Sequence, residues 1–110
     1  MIRQYDIWLV DLSPRMGTEP GKTRPVVILQ TDLLNPFHPS TLICPVTSRV
    51  NKSIHLLRVH LRKGQLDKPS DILVDQIRAI DNNRLQQKIG ALTRHQISRL
   101  QQNLKIVLDL

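Results

Sequence analysis

The sequence predicts a β-rich α+β fold: a small, curled, mostly antiparallel sheet or barrel closed by a C-terminal α-helix. Three observations predict it. Short apolar, β-prone runs are separated by Pro and Gly spread along the chain. One of them, PVVILQ at 25–30, is almost continuously apolar, as a buried strand is. Only the last stretch changes to helical spacing. A length of 110 residues suits one small domain, here taken as 1–110.

The elements follow in order. Residues 5–12 are apolar and β-prone, hence a first strand. Residues 13–24 hold Pro14, Gly17, Pro20 and Gly21 and form a long loop. The second strand is 25–30, and Pro36 and Pro39 mark 34–40 as a loop. A third strand is expected at 41–46 and a fourth at 54–61. The fourth alternates, with Leu57, Val59 and Leu61 on one face and Arg58 and His60 on the other. A fifth strand is expected at 72–80 and a sixth at 86–92. Thr93-Arg94-His95-Gln96 has the form of a capping box. Behind it Ile97, Leu100, Leu104 and Val107 recur at helical spacing, so a helix of about fifteen residues should close the chain.

Composition narrows the function. Sixteen Lys and Arg against nine Asp and Glu leave a net charge of +7, which favours a polyanionic partner. Tyr5, Trp8 and Phe37 are the only aromatics, too few to stack many bases in a row. One cysteine, Cys44, excludes a disulfide framework, and its apolar strand marks it as a core residue rather than a nucleophile. No apolar run approaches the roughly twenty residues of a membrane helix. Asp6 and Asp11 interrupt any signal-like stretch, so a soluble, cytoplasmic protein is expected.

The loop between the first two strands is the informative segment. It carries Arg15, Lys22 and Arg24, two glycines and Glu19, and it leads straight into a rigid strand. Such a loop brings backbone N–H groups and an Arg fork against phosphate; an ordinary solvated hairpin loop is the plain alternative. Arg24 stands beside Pro25 at the mouth of the second strand. A fixed guanidinium there suits a pentacoordinate phosphorane, or else a salt bridge to Asp11 or Glu19. Thr47 and Ser48 follow the third strand. Their hydroxyls suit phosphate oxygens, but a turn cap is the simpler reading. Gln76, inside the expected fifth strand, needs a partner if buried, and its amide can read a base edge. His38, His55, His60 and His95 are scattered. His55 and His60, five apart on one expected strand, should point to opposite faces, so no metal cluster is expected.

These residues also carry a resemblance. The pattern Ile7-Trp8-x-x-Asp11-Leu12-x-Pro14-x-x-Gly17-x-Glu19-x-x-Lys22-x-Arg24-Pro25-Val26-Val27-Ile28-Leu29 resembles the opening motif of the MazF/PemK toxin family. Asn35-x-Phe37, Pro45-Val46-Thr47, Asp75-Gln76-Ile77-Arg78-x-Ile80-Asp81 and Lys88-Ile89-Gly90 resemble its later segments, in the same order. The resemblance implies a small SH3-like barrel of the CcdB/MazF type that forms a homodimer. It implies the toxin half of a type II toxin–antitoxin pair, with an acidic MazE-type antitoxin as partner. It further implies a sequence-specific endoribonuclease (an mRNA interferase) that cuts single-stranded RNA without metal or other cofactor, leaving a 2′,3′-cyclic phosphate and a 5′-hydroxyl. Residue by residue, it implies Arg24 and Thr47 as the catalytic pair. It implies Thr18, Glu19, Gly21, Lys22 and Gln76 in RNA binding, with Phe37 and Ser48 as weaker members. Pro20 stands where the family often has Gln, and Asp75 where many members have Glu or Asn.

Two other readings compete. A gyrase poison such as CcdB shares the fold, but its resemblance depends on a tryptophan near the C-terminus, and this chain ends Lys105-Ile106-Val107-Leu108-Asp109-Leu110. A non-catalytic RNA-binding barrel would use Arg24 and Thr47 as plain phosphate contacts. Salt sensitivity would not separate it from a nuclease, because both engage phosphates; strand scission would.

Overall fold

Alternation of short β-prone runs and turn residues produces strands β1 (Asp6–Asp11), β2 (Thr23–Ile28), β3 (Ser40–Thr47), β4 (Arg58–Leu61), β5 (Ser70–Leu73), β6 (Arg78–Asp81) and β7 (Leu85–Ala91), followed by helix α1 (Arg94–Val107). A 3₁₀ turn, Asn82–Arg84, joins β6 to β7. The computed structural model describes residues 1–13, 17–18, 22–62 and 64–110.

The strands form one antiparallel sheet in the order β4-β5-β3-β2-β1-β7, with β6 also beside β3. It curls but does not close, since β4 and β7 stand at opposite ends of that order. The curl buries both faces of the central strands. On β2, Val27 enters a cluster with Ile7, Cys44, Ile72 and Leu100, while Val26 and Ile28 enter another with Val10, Ile43 and Ile80. A strand covered on both sides has no solvent face to mark with polar residues, which is why 25–29 reads as unbroken apolar sequence.

Helix α1 begins as its sequence signature requires. The Thr93 hydroxyl accepts from the Gln96 N–H at 3.2 Å, and the Gln96 side chain accepts from the Thr93 N–H at 2.9 Å. Ile97, Leu100, Leu104 and Val107 pack on the first cluster. Cys44 is buried there too, as a core residue.

Two expectations need correction. The fifth strand expected at 72–80 is two strands. Val46 pairs with Ile72 and Ile43 with Arg78, so β3 advances three residues while its partner advances six. Segment 74–77 is therefore looped out between β5 and β6, and Gln76 sits in it rather than in a strand. The fourth strand starts at Arg58, not at 54. Ahead of it, Asn51 accepts from the Ser53 N–H at 3.1 Å and its hydroxyl at 2.6 Å, a side-chain-stabilised turn that competes with strand pairing. His55 consequently lies outside β4. Instead of opposing His60 across a sheet, its ring meets that of His60 edge to face, with centroids 6.3 Å apart.

Candidate functional site

Arg24 is held by its strand. It pairs with Val10 across β1 and β2, is half-buried and is engaged by neighbours. The β2–β3 register runs Ile28 with Ile43, Val27 with Cys44 and Val26 with Pro45. The paired stretch ends at Val26 and Pro45; Arg24 lies two residues before it on β2, and Thr47, the last residue of β3, two residues after it on β3. Two residues 23 positions apart in sequence are thereby brought to the same end of the β2–β3 ladder.

Thr47 is 8% exposed. Its Oγ1 accepts from the Arg49 N–H at 3.2 Å, so the hydroxyl oxygen is anchored while its proton can be donated elsewhere. Ser48 is exposed and, with Lys22, Thr23 and Arg24, lines a cleft of about 510 Å³. Leu9, Pro25, Val46, Leu66 and Ile89 add apolar wall, and Asp67 and Lys68 add charge. Among the described residues, three cations against one carboxylate make this cleft attractive to an anion.

The loop leading into the cleft is pinned at its base. The Leu12 N–H donates to the Lys22 carbonyl at 2.8 Å. Lys22 adopts φ +64°, a left-handed conformation a non-glycine residue rarely takes, and Gly17 takes φ +58° where glycine has no penalty. Arg84 reaches from the 3₁₀ turn to donate from Nη1 to the Asp11 carbonyl at 2.9 Å and the Ser13 carbonyl at 2.6 Å. The Asp11 carboxylate accepts from the Ser13 N–H at 2.9 Å. Ser13 backbone and side-chain bonds, then the Arg84 charge, lower the Asp11 pKa. Thr18 is exposed on this loop; Glu19 and Gly21 lie outside the described residues.

Thr47, between the lining residues Val46 and Ser48, does not itself line the cleft, and neither do Gln76 and Phe37. Gln76 is half-buried in the looped-out segment, its N–H donating to the Leu73 carbonyl at 3.1 Å. Phe37 is 85% exposed on the β2–β3 connection. Asn35 braces that connection: its side-chain amide donates to the Gln30 carbonyl at 2.9 Å and to Asp32 at 3.0 Å. The Asn-x-Phe pattern thus couples a buried amide to a presented ring.

Sequence reasoning missed Arg84 and Asp71. Arg84 gives no local signal, since its acceptors lie more than seventy residues away. Asp71 is buried in β5 and gathers Arg58 and His60 from β4. The alternating Arg58 and His60 beside Val59 and Leu61 marked a polar face, but not its partner.

An open, curled antiparallel sheet with one terminal helix and an Arg-bearing cationic cleft defines a small β-protein with an anion-attracting face. Comparison with known proteins says which one. The PemK-like, MazF-like toxins of type II toxin–antitoxin systems match over residues 3–108. The Endoribonuclease MazF of Staphylococcus saprophyticus is 39% identical over 112 aligned positions, covering 100% of this chain and 93% of its own. The crystal structure of MazF from Deinococcus radiodurans superposes with a TM-score of 0.85 at 22% identity, over 99% of this chain and 97% of that one. The Mycobacterium tuberculosis toxin MazF-mt6 gives 0.80 at 24% identity, over 96% and 97%. A mycobacterial endoribonuclease solved with its cognate antitoxin gives 0.81 at 14% identity, over 100% and 97%. The structural likenesses, at these identities, speak for the fold. The chain belongs to the PemK-like, MazF-like family of type II toxin–antitoxin toxins.

Proposed function

We propose that the chain, as a single toxin domain over 1–110, is an endoribonuclease that cuts single-stranded RNA through the 2′-hydroxyl, without a metal. The observation that carries this reading is Arg24 on the wall of a cationic cleft, at the same end of the β2–β3 ladder as Thr47. Attack of the 2′-oxygen on phosphorus forms a P–O bond, releases the hydroxyl proton to water and concentrates negative charge on the non-bridging oxygens. Arg24 stabilises that charge directly, and a guanidinium stays protonated while doing so. The anchored Thr47 hydroxyl donates to one of the same oxygens. The bond to the 5′-oxygen then breaks, leaving a 2′,3′-cyclic phosphate and, once that oxygen takes a proton, a 5′-hydroxyl. The rate comes from positioning and electrostatics. Ser48 and Lys22 bind neighbouring phosphates at the cleft, and the Thr18–Glu19–Gly21 loop, Phe37 and Gln76 contact RNA beyond it.

The partner is an acidic antitoxin of MazE type, whose carboxylates suit the same basic loop and compete with RNA there. A MazE–MazF complex from Deinococcus radiodurans with a TM-score of 0.81 supports the pairing. The working form is a cytoplasmic homodimer. No helix among the described residues is long and apolar enough to cross a membrane.

The deciding experiment incubates the protein and its Arg24→Ala variant with long single-stranded RNA in excess EDTA and maps the new 5′ ends. Cuts at a recurring short sequence, lost in Arg24→Ala, are expected. Intact RNA with folded wild-type protein would refute the nuclease reading and favour a binding module.

A further inference from the structure

A carboxylate with no exposed surface is unfavourable in a small β-protein unless donors surround it. Asp71 is such a group, its side chain 0% exposed. The Asn51 N–H and Arg58 Nη1 each reach its Oδ2 at 2.9 Å, and His60 Nδ1 meets its Oδ1 at 2.5 Å. Its place in the sheet is informative. Asp71 pairs with Thr47 on one side and with His60 on the other. Opposed residues share a face, so Thr47, Asp71 and His60 form one row across β3, β5 and β4.

The bonds from Asp71 lead back to the segment that follows Thr47. The Asn51 N–H is held directly. The Arg49 carbonyl accepts from Arg58 Nη1 at 3.0 Å, the same nitrogen that reaches Asp71. The Arg49 N–H in turn anchors the Thr47 hydroxyl. One buried charge therefore ties down both ends of the turn that carries Thr47 and Ser48. His60 itself is not placed to take the substrate's proton: its Nδ1 is committed to Asp71, and its Nε2 is buried and, among the described residues, meets no hydrogen-bond partner.

We propose that Asp71, gripped by Arg58 and His60, is a positioning residue for RNA cleavage, setting the Thr47–Asn51 turn so that the Thr47 hydroxyl meets the scissile phosphate. This rests on the assignment of Arg24 and Thr47 above. Asp71 touches no substrate; it acts through the turn.

The test uses the full chain with Asp71→Asn, nearly isosteric but uncharged, and with Arg58→Gln and Arg58→Lys, which leave Asp71 in place. Three readouts are taken: the single-turnover cleavage rate per folded molecule, the Kd for an uncleavable 2′-deoxy RNA, and amide hydrogen exchange at Asn51. Asp71→Asn is expected to slow cleavage by up to about a hundredfold, the effect of a misplacement near 1 Å. Affinity for the 2′-deoxy RNA should stay within about threefold, separating the catalytic step from binding. Exchange at Asn51 should accelerate, and Arg58→Lys should retain more activity than Arg58→Gln. If Asp71→Asn fails to fold, the Arg58 pair decides. Folded Asp71→Asn and Arg58→Gln proteins that cleave at the wild-type rate would overturn the positioning role while leaving the nuclease reading intact. So would unchanged exchange at Asn51. Wild-type protein that leaves RNA intact would refute the nuclease reading itself, and the positioning role with it.

Discussion

Replacing Thr47 by Val removes one oxygen and nearly preserves the side chain's shape, so the change isolates the hydroxyl. Two losses follow, of different size. The first is the bond from the Arg49 N–H to Thr47 Oγ1. A neutral intramolecular hydrogen bond contributes a net of about 0.5–1.5 kcal/mol. Arg49 is exposed, so its freed N–H can turn to water, and the lower end applies. The second, in the proposed mechanism, is a fixed donor to the phosphorane. Loss of one preorganised donor costs about a hundredfold to a thousandfold in rate, or about 2.7–4 kcal/mol. The catalytic loss exceeds the stability loss, and a fold stable by about 5–15 kcal/mol survives the latter. Thr47→Val should therefore unfold at nearly the wild-type temperature, yet cleave RNA at least about a hundredfold more slowly in a single-turnover assay. Thr47→Ser, which keeps the O–H, should stay within about tenfold of wild type, each tenfold being about 1.4 kcal/mol. Cleavage by Thr47→Val at the wild-type rate would refute the role given to the hydroxyl.

Other substitutions probe the surrounding structure. Arg84→Ala frees the base of the 13–22 loop from the Asp11 and Ser13 carbonyls, so KM for RNA should rise severalfold with little change in kcat, measured by steady-state cleavage. Leu100→Ala empties a fully buried site where α1 meets the sheet, and should cost about 2–5 kcal/mol and lower Tm by about 10 °C or more. Burial, and then the Asp75 charge, push the Cys44 thiol up from an ordinary 9.0 to about 12. The folded protein should resist a thiol reagent at pH 8 until denaturant is added. Its stability should hold below pH 9.0 and fall from there towards 12, as the unfolded chain ionises and the folded one does not.

Local chemistry was legible from the chain. The helix start at Thr93 is visible because its cap bonds join residues three apart. The strand at 25–30 is visible because burial on both faces leaves only apolar residues. The 13–24 loop and Arg24 stood out because Pro, Gly and Lys or Arg crowd between two strands. Pairing was less legible. The sequence 72–80 reads as one strand because β-propensity continues through it; the break at 74–77 arises only because β5 and β6 meet β3 in registers three residues apart. His55 and His60 were set on opposite faces by a rule that holds only within a continuous strand, and the turn at Asn51 ends that continuity.

The sequence by itself determined the order and type of most elements, the core stripe of α1, the basic charge and the motif residues of the toxin family, all written in neighbouring residues. Tertiary structure alone decided that Arg24 and Thr47 come to the same end of the β2–β3 ladder, that Arg84 clamps a loop seventy residues upstream, and that Asp71 lies buried among Arg58, His60 and the Asn51 N–H. The physical reason is the same in each case: a strand's neighbours are set by pairing register, which depends on turns and burial elsewhere in the chain, and no window of sequence contains it.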